Sequence, residues 1–287
     1  MPEAIEAFVP VTVLAEDLVL VDWGPMTMTI SVWDKGRARP VMAAASSRSA
    51  LACLQMLSDF KEFLKIPVCR LPSGVTLPDV VSRAFTAASK VSKELTSLAA
   101  VAGAAADHVA DVALGMGADK VIVNNGGDIA LRLARGKTAV VGLQKIGAKD
   151  LAGRLMVRGG AGIGGVASSG WMGRSYSPGV ADLVTVWAGT ASIADAAATL
   201  IAGKTTAFGM NIEQASAAEL DPTSDLGDMK VTIAVRYLSP SQRKTALDQG
   251  AAIAAAMYSK GLIHGCFLSV QGDFSLLDPA RIVKLES

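Results

Sequence analysis

Asn124-Asn125-Gly126-Gly127-Asp128-Ile129, taken with Ala194-Asp195-Ala196-Ala197-Ala198-Thr199, decides how this chain folds and where its chemistry sits. The first stretch lies between two runs of β-formers, residues 120–123 and 129–133, and so reads as a turn joining two strands. Consecutive glycines reach backbone dihedrals closed to other residues and expose their amides. The flanking Asn and Asp side chains either fix that turn or bind a polar ligand. In the second stretch Asp195 and Thr199 stand four apart on an alanine-rich helix expected over residues 192–201, with Gly203 ending it. That spacing puts both on one face, and a carboxylate beside a hydroxyl suits a hard cation such as Mg²⁺. The plainer alternative is that Asp195 hydrogen-bonds near the start of its helix and Thr199 bonds its own backbone.

The flanking sequence supplies an α/β frame. Residues 9–21 alternate β-formers around an Ala15-Glu16-Asp17 turn, and residues 26–33 continue the meander. Ser46 is a candidate cap for a helix through residues 49–63, where Leu51, Leu54, Leu57 and Phe60 recur at three-residue spacing. Pro67, Pro72 and Pro78 punctuate a loop before a helix starting at Pro78 or Asp79, which breaks near Ser89. A second, alanine-rich helix follows to Leu114 or Met116, and Gly103 within it marks a kink or the close approach of a neighbouring strand. Residues 138–142 are expected to pair as a hairpin with 129–133. Residues 183–187 and 231–237 read as strands, and 210–230 as an acidic loop. Ser239-Pro240 opens a helix to Met257, and residues 261–270 return as a strand. The fold class is α+β or α/β. Residues 1–287 form a single unit, or two intimately packed α/β halves.

Composition narrows the function. Hydrophobic residues make up 51% of the chain and charged residues only 18%, which provides a large core and a lean surface. That surface and four tryptophans point to a homo-oligomer, a dimer first. A net charge of +1 gives no basic field for a nucleic-acid polymer. Cys53, Cys69 and Cys266 are odd in number and widely spaced, as buried small hydrophobes rather than a disulfide framework. No basic-then-apolar leader is visible at the start, and the apolar stretch at residues 95–106 is too short to span a bilayer. A cytoplasmic protein without a membrane partner is the expectation.

The glycines from Gly159 to Gly165 do not form G-x-G-x-x-G between a strand and a helix, and no phosphate-loop motif occurs. Ala167-Ser168-Ser169-Gly170 offers hydroxyls and amides at a strand end. Asp107, beside Gly103, can line the same cleft, whereas His108 and His264 read as structural. Arg174 and Lys204 can meet an anionic ligand, and Trp171 can stack on a flat ring or pack in the core.

Together these stretches resemble the ApbE-type flavin transferases, which move FMN from FAD onto a threonine or serine of a protein with Mg²⁺. Val101-Ala102-Gly103-Ala104-Ala105-Ala106-Asp107 stands where that family has A-K-G-x-x-x-D. Asn125-Gly126-Gly127-Asp128-Ile129 matches N-x-G-G-D-I, Ser168-Ser169-Gly170 matches T-S-G, and Ala194-Asp195-Ala196 through Thr199 matches A-D-A-x-x-T. The resemblance implies a layered, T-fold-like architecture of mixed sheets and packed helices. It implies Asp195 and Thr199 as Mg²⁺ ligands, with a carbonyl from the 101–103 region beside them. Asn125, Gly126, Gly127, Ser168, Ser169 and Gly170 would contact FAD or FMN, and Asp128, Asp107 and Arg174 are the catalytic candidates. Two departures stand out: Ala102 replaces the family's lysine, and Trp171-Met172-Gly173-Arg174-Ser175 replaces its histidine segment. An uncharacterised sister family of ApbE-like proteins is a closer match, sharing Gly24-Pro25-Met26, Leu220-Asp221-Pro222 through Asp228, and Gly261-Leu262-Ile263. The expected function is a Mg²⁺-dependent transferase or hydrolase of FAD or another phosphorylated ligand. The alternatives are a metal-independent enzyme for a small organic acid or ring compound, and a non-catalytic ligand-binding protein.

Overall fold

The computed structural model describes residues 10–71, 74–144, 149–173 and 175–286; Pro72 and Arg174 lie outside them. The expected meander is present as β1 (Val11–Ala15), β2 (Leu18–Trp23) and β3 (Met26–Asp34), followed by the short β4 (Arg37–Ala38). Gly24, at φ 57°, permits the two-residue turn that sets Trp23 opposite Met26. Helix α1 (Pro40–Asp59) begins earlier than expected, with Pro40 in its first turn, where no amide partner is needed. Ser46 is therefore inside the helix, and its hydroxyl donates to the Ala43 carbonyl at 2.9 Å. After the single turn α2 (Lys61–Leu64), α3 (Asp79–Val91) starts directly behind Pro78 and stops at Ser92.

Helix α4 (Val101–Gly115) is the alanine-rich helix, and β5 (Lys120–Asn125) and β6 (Asp128–Leu133) form the hairpin read from the glycine pair. The segment Ser97–Gly115 is long and apolar enough by composition to cross a membrane. Here it packs between α1, α3, α5 and the sheet. The strands β7 (Thr138–Leu143), β8 (Gly153–Arg158), β9 (Gly165–Ser169) and β10 (Leu183–Ala188) follow, then α5 (Ala191–Lys204). The chain closes with β11 (Ile212–Ser216), α6 (Ala217–Leu220), β12 (Lys230–Val235), α7 (Pro240–Ser259), β13 (Gly265–Val270), β14 (Asp273–Leu277) and β15 (Val283–Leu285).

Ten strands form one sheet in the order β1-β2-β3-β5-β6-β9-β10-β13-β14, with β4 beside β3; β7, β8 and β15 form a second sheet. The helices α1, α4, α5 and α7 cover one face of the large sheet. The small sheet covers part of the other, enclosing Leu131, Leu143, Leu155, Val157, Trp187 and Phe267. This is the layered α+β architecture expected from the sequence, and each described strand pairing is antiparallel.

Other sequence expectations also need correction, among them Cys69, which is exposed and not a buried hydrophobe. Strand β7 is not the hairpin partner of β6; it pairs with β8, because β9 already occupies the outer edge of β6 through Ile129–Val166 and Ala130–Gly165. Residues 210–230 are not simply loop: Ser216 and Glu219 form a reciprocal capping box that starts α6. Gly203 lies within α5, whose cap residue is Thr205.

Gly103 does mark a close approach, but to a helix and not to a strand. A Cβ there would collide with the carbonyl of Ala191 and come within 2.8 Å of the Ser192 Cα. Gly165 meets the same turn of α5 from the sheet side, its Cβ position overlapping the Ala191 amide. Gly103→Ala should thus destabilise the protein by about 1–3 kcal/mol through overpacking, although alanine is the better helix former. Gly115→Ala, whose Cβ meets nothing within 4 Å, should stay within about 0.5 kcal/mol of wild type. Urea denaturation of both variants tests this; equal responses would mean the helix contact is not needed.

Candidate functional site

The site begins with the β5–β6 hairpin. Gly126 and Gly127 adopt φ 68° and 111°, so Asn125 pairs with Asp128 across a two-residue turn of the primed kind. Asn124 Oδ1 accepts the Gly127 amide at 2.8 Å, and Asn125 Nδ2 donates to the Ala102 carbonyl at 3.1 Å. The hairpin is therefore stitched to the first turn of α4. Side chains alternate along β6, so Asp128 and Arg132 share the helix-facing side of the sheet with buried Ala130.

Helices α4 and α5 exchange their N-terminal caps. No local side chain caps α4; instead Asp195 of α5 accepts the Gly103 amide at 2.9 Å and also the Ala102 amide. Conversely, Asp107 of α4 accepts the first amides of α5, from Ala191 at 3.1 Å and Ser192 at 2.9 Å. Thr190 completes that end by accepting the Ile193 amide at 3.2 Å. Each carboxylate sits at the positive end of the other helix.

A cavity of about 1140 Å³ opens above these elements. The structure brings Asn125, Gly126, Gly127, Asp128, Ser168, Ser169, Gly170, Asp195 and Thr199 to its wall. Leu54, Leu57, Met26 and Leu183 line its apolar part. No lysine, arginine or histidine lines it among the described residues.

Asp128 and Asp195 are the electrostatic centre. Burial pushes the Asp128 carboxyl up to about 7, with the Ser168 amide opposing. Its Oδ1 is buried without a hydrogen-bond partner. Asp195 is driven well above the usual carboxylate range by burial first and by the charge of Asp128 second, with the Gly103 amide opposing. Both side chains retain some exposure, and that exposure opens into the cavity.

Other candidates lie elsewhere. Asp107 is 1% exposed and does not line the cavity; both its oxygens are committed to the start of α5, and one also to Arg132. Ser168 Oγ bonds Thr185 Oγ1 at 2.8 Å. Trp171 leans on Asp182 at 3.5 Å and is not a wall residue, whereas Met172 is. His108 pairs with Asp79 at 2.7 Å and His264 with the Gly162 carbonyl at 3.2 Å, neither at the cavity. Lys204 ends α5 away from the wall. Sequence reasoning missed Leu54, Leu57, Ile122 and Leu183 as wall residues. Gly24-Pro25-Met26 was the available signal, since Pro25 and Met26 also line the cavity.

A family model described as AbpE bacteria matches residues 12–276, and the chain belongs to that family. This agrees with the resemblance read from its motifs. A UPF0280 protein of Methanopyrus kandleri is 36% identical over 181 residues, covering 62% of this chain and 70% of that protein. One of Methanobrevibacter smithii is 33% identical over 161 residues, covering 53% of this chain and 63% of the relative. The match thus spans less than two thirds of the second relative's length. Among solved structures, the chain is similar to the ApbE protein of Thermotoga maritima, with TM-score 0.49 and 13% identity over 91% of this chain and 97% of that one. It is also similar to the apo flavinyl transferase ApbE of Pseudomonas stutzeri, with TM-score 0.45 and 14% identity over 88% and 90%. Likenesses of that degree leave the chemistry of this chain to its own residues.

The raised carboxyls set the pH behaviour of the cation-free protein. A folded-state pKa of about 7 against an ordinary 3.8 for Asp128 adds stability that is fully present below pH 4 and is lost as pH rises through 7. The upward shift of Asp195 acts in the same direction. With EDTA present, melting temperature should fall between pH 4 and pH 8, and Asp128→Asn should remove part of that fall, raising Tm at pH 8 by roughly 5 °C and leaving the share that burial of Asp195 causes. A variant with the wild-type pH profile would show that Asp128 is not the strained group.

Proposed function

We propose that this protein binds a flavin nucleotide such as FAD, or another phosphorylated ligand, together with Mg²⁺, and acts on it as a transferase or hydrolase. The observation that carries this reading is the pair Asp128 and Asp195: two half-buried carboxylates at one cavity, one with an unpartnered oxygen, and with no cationic side chain on the described wall. Such a pair is stable with a shared proton or with a cation between its members. An all-oxygen donor set suits Mg²⁺ better than softer metals. Asp128, Asp195 and Thr199 would hold the ion, with the Ala102 carbonyl nearby. Their fit rests on the orphaned Asp128 Oδ1 and on Thr199 standing one helical turn beyond Asp195 at the same wall.

The ion would neutralise phosphate oxygens and polarise the bond to be broken. The chain's own part is binding and orientation. The Gly126 amide and the Ser169-Gly170 strand end are the donors offered to phosphate oxygens. The wall formed by Leu54, Leu57, Met26 and Leu183 excludes water and can take a flat ring. A volume of about 1140 Å³ admits a dinucleotide-sized ligand. The motif resemblance favours FAD among such ligands. Arg174, outside the described residues, stays a candidate anion contact on the sequence alone. Asp107 acts by holding α5 and not by touching ligand.

Calorimetry with FAD and Mg²⁺ tests the proposal. Wild type should bind FAD saturably only with Mg²⁺; Asp195→Ala should abolish this and Asp195→Asn weaken it nearly as far. Thr199→Val should lose about 1–2 kcal/mol, and Thr199→Ser should be nearly neutral. Retention of the Mg²⁺ response in Asp195→Ala would defeat the metal assignment. Absence of heat with FAD, FMN or ATP at millimolar Mg²⁺ would defeat the nucleotide reading.

A further inference from the structure

An ion-pair chain runs behind the site on the helix-facing side of the large sheet. Arg132 of β6 contacts Asp107 Oδ1 through Nη2 at 3.1 Å and Asp111 Oδ1 through Nε at 2.6 Å. Its Nη1 donates to the carbonyls of Leu131 and Gly164, both at 3.1 Å. Asp111 Oδ2 continues to Arg83 Nη1 at 2.6 Å, and Arg83 Nε to Asp79 at 2.7 Å, which His108 also meets. The hydrogen bonds from this network to α5 given by the described residues are those of Asp107. Arg132 side-chain exposure is 15% and that of Asp107 1%, so this pair is shielded, whereas Asp79 at the far end is half exposed.

We infer that Asp107 and Arg132 are positioning residues for the cation site: together they fix the spacing between Asp128 and Asp195. Arg132 shares β6 with Asp128, and Asp107 grips the turn of α5 that leads to Asp195. One short linkage, β6–Arg132–Asp107–α5, thereby joins the element carrying one carboxylate to the element carrying the other. A guanidinium is suited to this because its planar fork reaches two carboxylates and two carbonyls at fixed angles, which an ammonium cannot. Its charge lies against that of Asp107, which adds to the upward push on Asp195. The glycines at 103 and 165 allow the contact, and the Asp107–Arg132 pair sets its register.

This inference rests on the cation reading above, and Mn²⁺ serves as a spectroscopic probe that separates the two. Mn²⁺ affinity and EPR line shape are measured on folded protein, well below each variant's Tm, for wild type, Asp107→Asn, Arg132→Gln, Arg132→Lys and Arg83→Gln. Arg83→Gln breaks two ion pairs of the same chain without touching α5 or β6. A purely structural network predicts lower melting temperatures throughout and unchanged Mn²⁺ binding. Positioning predicts at least tenfold weaker Mn²⁺ binding and a broadened spectrum in Asp107→Asn and Arg132→Gln. Arg132→Lys, which keeps the charge but not the fork, should weaken binding by an intermediate amount, and Arg83→Gln should match wild type within twofold. If Asp107→Asn and both Arg132 variants bind Mn²⁺ within twofold of wild type, the positioning role is overturned. If wild type binds no Mn²⁺, the cation reading itself fails and this inference fails with it.

Discussion

The structure depends on one reciprocal contact. Asp107 of α4 caps the first amides of α5, and Asp195 of α5 caps the first amides of α4. Helix termini leave their amides unsatisfied, and burying them without partners is costly. Cross-capping settles both ends at once, but only if the helices touch backbone to backbone. Gly103 and Gly165 remove the Cβ atoms that would prevent this. The alanine-rich faces of both helices serve the same close packing, and Ile193 touches the helix-side core on both sides of the junction.

From this contact the cavity follows. Asp195 spends Oδ2 on α4 and is thereby held at the wall beside Asp128, which the tight hairpin delivers from the sheet. A buried carboxylate normally neutralises itself by protonation or pairing. Here a backbone cap supports one of the two, and the other keeps an unpartnered oxygen. Two raised carboxyls at one wall are costly without a counter-charge, and perturbed groups of this kind gather at functional sites.

Much of this was legible in the sequence. The meander, the β5–β6 hairpin and helices α3, α4 and α7 follow from periods of two and 3.6 residues and from Gly, Pro and Ser punctuation. The motif stretches at Asn125–Asp128, Ser168–Gly170 and Asp195–Thr199 do converge on one cavity. What could not be read was long-range. Asp107 and Ala191 are 84 positions apart, so a cap between them leaves no local pattern. Arg132 reads as an isolated basic residue in a strand until Asp107 and Asp111 are brought to it. The dense glycines after Gly159 match no nucleotide-binding motif, and their role is not local either: Gly159 and Gly165 are required where backbones cross. The pairing of β7 failed as an expectation because hairpin proximity gave way to the prior claim of β9 on the edge of β6.

The most direct measurement is anomalous diffraction at the manganese edge from crystals of the full chain soaked in MnCl₂. The account predicts a single peak at about 2.1 Å from oxygens of both Asp128 and Asp195, within the range of hard divalent cations. A map without that peak, in which the two carboxylates instead share a hydrogen bond, would contradict it.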